Sequence, residues 1–292
     1  MSTEKQATPG IAPPVAPLDA AALVAAVGRG LVLEGVSAHG AVGAAFVRRP
    51  DGRPAVITRL AAGAADEARA ALPLLERARA AALPVPRIEL IAEVPGATAL
   101  VQSRLPGSVP EPPSLGQIQE MAALMDRCAG LAAGLDAPPP LDLHLRSSGP
   151  GFCLHETLAA YDARTARLLG RIKEIGAAAP DAVPGDDLVH GDYHPGNVLA
   201  DPETGALTGI VDWDGIARGD RLFMLVNLRW GVHWGAGPGV AAWLDGELDR
   251  RVPAGALRRY WASLSLRMVD WMVRHGTPEN VTEMIELAES RL

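Results

Sequence analysis

The sequence is poor in the features that mark secreted, membrane-spanning or nucleic-acid-binding proteins. Its 292 residues include only two cysteines, Cys128 and Cys153. Two thiols at that spacing make neither a disulfide framework nor a zinc site, and both read as reduced packing residues. No run of about 18 apolar residues occurs, so no helix is expected to cross a membrane. The start, MSTEKQATPGIAPPVAP, lacks a basic stretch followed by an apolar core. No secretory signal is therefore expected, and a cytoplasmic location is the expectation. Basic charge is not in excess either: 27 Lys and Arg against 34 Asp and Glu give a net charge of −7. A nucleic-acid partner calls for a basic patch and is not expected. The acidic balance suits a small-molecule enzyme and mildly favours cationic ligands.

The 48% hydrophobic content is that of a globular chain, long enough for one large domain or two lobes. Residues 1–17 read as a disordered tail. Residues 19–28 read as a short helix with Asp19 as N-cap. Three short β-type runs follow, LVLEGV, GAAFVRR and PAVITRL, separated by SAHGAVG and by a turn at Pro50-Asp51-Gly52. Residues 64–82 are helical in composition, with an interruption expected at Pro73. RIELIAEV and ALVQSRL then complete an antiparallel sheet. A connector with four prolines (106–116) precedes a mainly helical remainder, with helices expected near 115–135, 153–179, 239–252, 255–275 and 278–291. Eleven of the twelve aromatics lie after residue 150, so the two parts have different cores. The class is α+β. A sheet lobe (18–105) is joined to a larger helical lobe (106–292).

The chemistry concentrates in LVHGDYHPGNVLADPETGALTGIVDWD, residues 188–214. Apolar stretches at Leu188-Val189, Val198–Ala200 and Leu207–Val211 alternate with a Pro195-Gly196 loop and a turn at 201–205. A hairpin of that kind brings Asp192, Asn197 and Asp212 to one end of a small ladder. Their side chains suit phosphoryl transfer. Asp212 offers a carboxylate to a hard cation, and Asn197 offers a neutral oxygen. Asp192, five residues before Asn197, can accept the proton of an attacking hydroxyl. Protein kinases place an Asp, an Asn and a second Asp in this order. Alone, each of these residues would read as a turn former.

HGDYHPGNVL followed by GIVDWD resembles the aminoglycoside phosphotransferase and choline-kinase-like group of small-molecule kinases, which share the two-lobed protein-kinase fold. The resemblance implies Asp192 as catalytic base, Asn197 and Asp212 as Mg2+ ligands, and His190 as a brace of the loop. It implies ATP or GTP as donor. It also implies a phosphate-covering turn at Ser37–Gly43, with Gly40 in it, and a phosphate-binding cation on the third strand, Arg59. A helix acid, Glu67, would orient that cation, and backbone around Gln102, Ser103 and Leu105 would hold the purine. One departure stands out. Where the family shows an acid opening the next helix, this chain has Met224.

The acceptor would be a small molecule held near Asp192. His194, Asp214, Trp230, Trp234 and Asp270 are the candidate contacts, with core packing as the alternative for the tryptophans. An antibiotic acceptor, an aminoglycoside or another sugar-bearing compound, is the favoured expectation, consistent with a resistance role. Alternatives are a metabolite kinase of the choline, homoserine or fructosamine type and a nucleotide-binding pseudokinase. A metal hydrolase using His190, Asp192 and His194 is a further rival, since alternation would place these three on one strand face.

Overall fold

Residues 17–37 and 43–292 are described by the structure, a computed structural model. Residues 1–16 of the expected tail, and Gly40, lie outside them. The chain divides into two compact units, one of residues 15–140 and 184–245, the other mainly of residues 141–183 and 246–292. The lobe boundary expected at 105/106 falls inside the first unit.

The first unit opens with α1 (Ala20–Val27). Asp19 caps it, accepting a hydrogen bond from the Ala22 amide at 3.0 Å. β1 (Val32–Val36), β2 (Ala45–Arg48), β3 (Pro54–Leu60), α2 (Ala65–Ala80), β4 (Ile88–Val94) and β5 (Ala97–Ser103) follow in the expected order. The strands form one sheet, β1-β2-β3-β5-β4, antiparallel at every pairing. Strand alternation gives this sheet two different faces. Ala45, Val47, Ala55, Ile57, Ala99 and Val101 form one, buried with Ala20, Leu23 and Val24 of α1 in a single core. Full burial of a Leu or Val stabilises by about 1.5–3 kcal/mol, which ties α1 to this face. Phe46, Val56, Thr58 and Leu60 form the other and are only half-buried.

α2 packs through Ala65, Ala68, Ala71, Leu74, Leu75 and Ala78. It runs through Pro73 without the expected interruption. Pro73 stands on the exposed side, where water can satisfy the carbonyl that loses its amide partner.

After β5 come α3 (Leu115–Asp126), β6 (Asp187–His190), β7 (Val198–Ala200), β8 (Leu207–Ile210), β9 (Ile216–Gly219) and α6 (Leu222–Gly231). β6 pairs with β9, and β7 pairs with β8. A capping box of Ser114 and Gln117 starts α3. The expected list of helices omits α6, whose sequence, LFMLVNLRWG, is buried on nearly every side. A helix apolar all round gives no 3.6-residue signal.

The second unit holds α4 (His155–Tyr161), α5 (Ala163–Ala177), α8 (Ala254–His275) and α9 (Pro278–Glu289), and α7 (Pro238–Arg251) leads into it. The helix expected over 153–179 is two helices. Asp162 caps the second by accepting from the Thr165 amide at 2.7 Å.

Candidate active site

The site is built on the two short ladders of the first unit. β6 delivers His190, after which the chain leaves the ladder through Gly191 and Asp192. A 3₁₀ turn, Pro195–Asn197, feeds directly into β7. Asp212 follows β8 with φ 66° and ψ 59°. A left-handed conformation at a non-glycine residue costs about 1–3 kcal/mol and recurs at functional sites.

One peptide unit fastens these segments together. The Val211 amide donates to the Asn197 carbonyl at 2.9 Å. The Val211 carbonyl accepts from His190 Nε2 at 2.8 Å. The start of the loop and its end are thus both tied to Val211, the residue before Asp212. Asp192, Asn197 and Asp212 are brought to one end of the β7–β8 hairpin, as the spacing requires.

His190 is completely buried, with its ring 4.6 Å from the Trp213 ring. Nδ1 accepts from the Asp192 amide at 3.1 Å, so Nε2 carries the proton given to Val211. Burial is the largest influence on the imidazole and lowers its pKa below the ordinary value of 6.5. His190 is therefore a neutral strut with both nitrogens engaged. That overturns the metal-hydrolase alternative, which needs one of them as a ligand. Among the described residues, no group of three or more His, Cys, Asp or Glu could hold a metal ion.

Asn197 turns its amide nitrogen toward Asp192, donating to the carbonyl at 2.9 Å and approaching Oδ2 at 3.3 Å. His194 contributes to the same oxygen. Its Nδ1 accepts from the Gly196 amide at 3.1 Å, which leaves Nε2 as the N–H facing Asp192 Oδ2 at 3.4 Å. Two donors from one loop thus fix the orientation of the Asp192 carboxylate. With the Asn197 nitrogen committed to Asp192, its amide oxygen is the atom left for a hard cation. Asp212, on the exposed side, supplies a carboxylate of the same donor class. The donor set fits Mg2+, which keeps water and phosphate ligands rather than requiring an all-protein cage.

Two supports were not read from the sequence. Asn227 on α6, 3% exposed, donates from Nδ2 to the Gly191 carbonyl at 3.0 Å. It is a helix-side brace of the loop, three residues after Met224, which is itself fully buried. Glycine is required at 191, because a Cβ there would lie 2.5 Å from the Gly215 carbonyl oxygen. A neutral polar residue in a helix whose only other polar side chain is Arg229 is the signal that could have found Asn227.

The remaining expected residues divide. Gln102 and Ser103 end β5 beside β3, and the Ser103 amide is spent on the Arg87 carbonyl at 2.9 Å. Leu105 packs against Gly209, so the segment after β5 meets the β7–β8 hairpin directly. Arg59 lies opposite Ala99, on the sheet face shared with Ala55 and Ile57 that α1 covers. Thr58 instead stands on the half-buried face. Glu67 is exposed on α2, whose packed stripe contains no acid. The expected cation and helix acid are therefore not presented on a common face. Strand parity decides the first, and helical phase the second.

Trp230 is only 1% exposed and belongs to the core, which corrects its assignment as a substrate contact. Asp270 is corrected likewise. It is 0% exposed in the second unit, where Oδ2 accepts from the Leu154 amide at 2.9 Å at the start of α4. Burial raises its pKa above the usual carboxylate value. Trp234 is 42% exposed, and Asp214 is exposed.

Comparison with known proteins agrees with this geometry. Residues 37–264 match the model of a phosphotransferase enzyme family, APH. No curated protein matches the sequence significantly. Among solved structures, a thermostable mutant of aminoglycoside phosphotransferase APH(4)-Ia superposes with a TM-score of 0.60. It is 19% identical, over 92% of this chain and 96% of that one. A further mutant of that enzyme, in ternary complex with ADP and hygromycin B, gives 0.56 at 19% identity, over 93% and 96% of the two chains. A fructosamine-3-kinase assignment from Haemophilus somnus 129PT gives 0.55 at 10% identity, over 93% and 96%. At these identities the likeness establishes the protein-kinase-like α+β fold.

Proposed function

Since the chain belongs to the APH phosphotransferase enzyme family and is thus a phosphotransferase acting on small molecules, we propose that it transfers the γ-phosphoryl group of ATP or GTP to a hydroxyl of a sugar-bearing antibiotic, and so confers resistance. The observation that supports the reading is the Val211 peptide unit, which lies next to Asp212 and is bonded to Asn197 and to His190, whose other ring nitrogen accepts from the Asp192 amide. The relative in complex with ADP and hygromycin B supports a nucleotide donor and a sugar-bearing acceptor.

In this mechanism Asp192 accepts the proton of the acceptor hydroxyl. A bond forms between that oxygen and the γ-phosphorus, and the bond from the γ-phosphorus to the bridging oxygen breaks. The products are a phosphate ester and a nucleoside diphosphate. Asn197 and Asp212 would hold Mg2+, which when bound supplies charge neutralisation for the phosphates. The loop contributes positioning, because Asn197 and His194 fix Asp192 before the acceptor arrives. Backbone near Gln102, Ser103 and Leu105 is assigned to the purine. Gly40 is assigned to the phosphate-covering turn, although it is outside the described residues. Phosphate contact by Arg59 would require its side chain to leave the face packed on α1.

A second reading, nucleotide binding without turnover, is favoured by one observation, the lack of an acid on the packed stripe of α2. A coupled assay separates the two. ATP and GTP are each offered with a panel of sugar-bearing antibiotics and with choline, homoserine and a fructosamine, with and without Mg2+. Mg2+-dependent, acceptor-dependent nucleoside diphosphate release is expected with an antibiotic. Release with a metabolite alone would make this a metabolite kinase. Nucleotide binding with no release under any condition would leave only the second reading.

A further inference from the structure

Asp187 opens β6, and its carboxylate joins three segments of the first unit. Oδ1 accepts from the Gly130 amide at 2.8 Å, in the segment that follows α3. Oδ2 accepts from the Arg221 amide at 3.2 Å and from the Arg221 guanidinium at 2.9 Å, at the N-cap of α6. The Asp187 side chain is 18% exposed and that of Arg221 29%, so the pair is partly shielded from water. Hydrogen bonds between ionised partners are stronger than neutral ones, and backbone and guanidinium donors together fix the direction of the carboxylate.

The segment after α3 gives this pair a firm base. The Ala132 amide donates to the Asp186 carbonyl at 2.8 Å, and the Leu188 amide donates to the Cys128 carbonyl at 3.0 Å. From α2, Arg77 donates to the Leu131 and Ala133 carbonyls at 3.1 and 2.6 Å. β6 is also paired with β9 from Asp187 to His190. Without the Asp187 carboxylate β6 keeps these attachments, whereas α6 loses both bonds that tie Arg221 to β6.

Two routes lead from Asp187 to the catalytic loop. Along β6, His190 lies three residues on, and its Nδ1 accepts from the Asp192 amide. Along α6, Asn227 lies six residues after Arg221 and donates to the Gly191 carbonyl. That is about 9 Å along the helix axis. Strand, loop, helix and the Asp187–Arg221 pair thus close a ring through Gly191. Closed, the ring fixes the angle between β6 and α6. Opened at Asp187, it lets α6 pivot and carry Asn227 away from the Gly191 carbonyl.

We infer that Asp187 is a positioning residue. By holding the start of α6 against β6 through Arg221, it seats Asn227 on the Gly191 carbonyl and so places the Asp192 carboxylate. It acts through Asn227 and not by contact with nucleotide or acceptor. This rests on the phosphotransferase reading above and deepens it.

The test uses the full chain with Mg2+ and ATP, well below the melting transition of each variant. Neamine, choline and homoserine are each offered as acceptor, and the one turned over fastest is used throughout. Asp187→Ala is expected to lower kcat by about tenfold to 100-fold and to leave KM for ATP within about threefold, because a displaced loop slows transfer without removing a nucleotide contact. Arg221→Met keeps the amide bond to Asp187 and should lower kcat by about threefold to tenfold. It carries the test if Asp187→Ala fails to fold. Both changes are repeated in Asn227→Leu, where each should cost less than about twofold more, since the contact they act on is already gone. Full multiplication of the effects in the double variants would overturn the inference. So would unchanged kcat in both single variants, or a rise in KM for ATP that matches the loss of kcat. Hydrogen exchange followed by mass spectrometry gives a reading that needs no turnover. Exchange at residues 190–193 and 221–224 should quicken in both single variants, and wild-type rates there would overturn the inference. If wild type releases no ADP with any of the three acceptors while exchange quickens as expected, the phosphotransferase reading loses its support and the positioning role of Asp187 stands.

Discussion

Asn227→Leu is the most informative perturbation outside the proposed catalytic residues. The two side chains are similar in size, so the main change is loss of the N–H donor that meets the Gly191 carbonyl at 3.0 Å. The site is 3% exposed, so water does not readily replace that donor. Removing one partner of a buried hydrogen bond costs about 1–3 kcal/mol. For a chain of this size that lowers Tm by roughly 2–10 °C. The larger effect falls on turnover. Gly191 adjoins Asp192, and a displacement of about 1 Å at a reacting group can cost about 100-fold in rate. Calorimetry gives the first quantity. Steady-state phosphotransfer at 25 °C, well below the melting transition, gives the second. Asn227→Asp, which keeps the size but turns an acceptor toward a carbonyl, should be worse on both counts. If Asn227→Leu melts within about 1 °C of wild type and keeps full kcat, α6 does not brace the loop.

Three further predictions follow from the site and its surroundings. His190 has a folded pKa below 6.5, so the unfolded chain takes up its proton first as pH falls. Its contribution to stability is complete above about pH 6.5 and declines below it, by up to about 1.4 kcal/mol per pH unit. Tm measured from about pH 8 to pH 5 should fall less steeply in His190→Gln than in wild type, and parallel curves would count against a neutral buried strut. Burial pushes the Cys128 thiol up to about 12 and the Cys153 thiol up to about 11. Both should resist a thiol-specific chromogenic reagent at pH 8 until the protein is denatured, and immediate labelling of either would contradict that. In Gly191→Ala the new methyl meets the Gly215 carbonyl oxygen at 2.5 Å. Destabilisation of about 1–3 kcal/mol is expected, together with loss of turnover, and a fully active variant would show that the approach is not required.

The parts of the fold legible in the sequence were those with local periodicity or punctuation. The five strands of the sheet, the Asp19 cap and the hairpin around residues 188–214 all announce themselves through alternation, glycine and proline. The approach of Asp192, Asn197 and Asp212 to one end of the β7–β8 hairpin was legible because it depends on spacing along the chain. α6 was not, because a helix buried all round shows no amphipathic period. Arg59 and Glu67 illustrate a second limit. Alternation groups Arg59 with Ala55 and Ile57, but which face α1 covers is a tertiary fact. Trp230, Trp234 and Asp270 illustrate a third. All three are plausible ligand contacts by composition, and only burial separates the exposed indole from the core indole and the enclosed acid.

The central claim is that Asp192, held by Asn197 and His194, performs the chemistry rather than the binding of nucleotide. Its most direct test compares wild type with Asp192→Asn in Mg2+-dependent nucleotide affinity and in single-turnover transfer of the γ-phosphoryl group to acceptor. The account predicts nucleotide affinity within about threefold of wild type and transfer slowed by about 100-fold to 10,000-fold. Transfer at the wild-type rate, or loss of nucleotide binding in step with transfer, would contradict it.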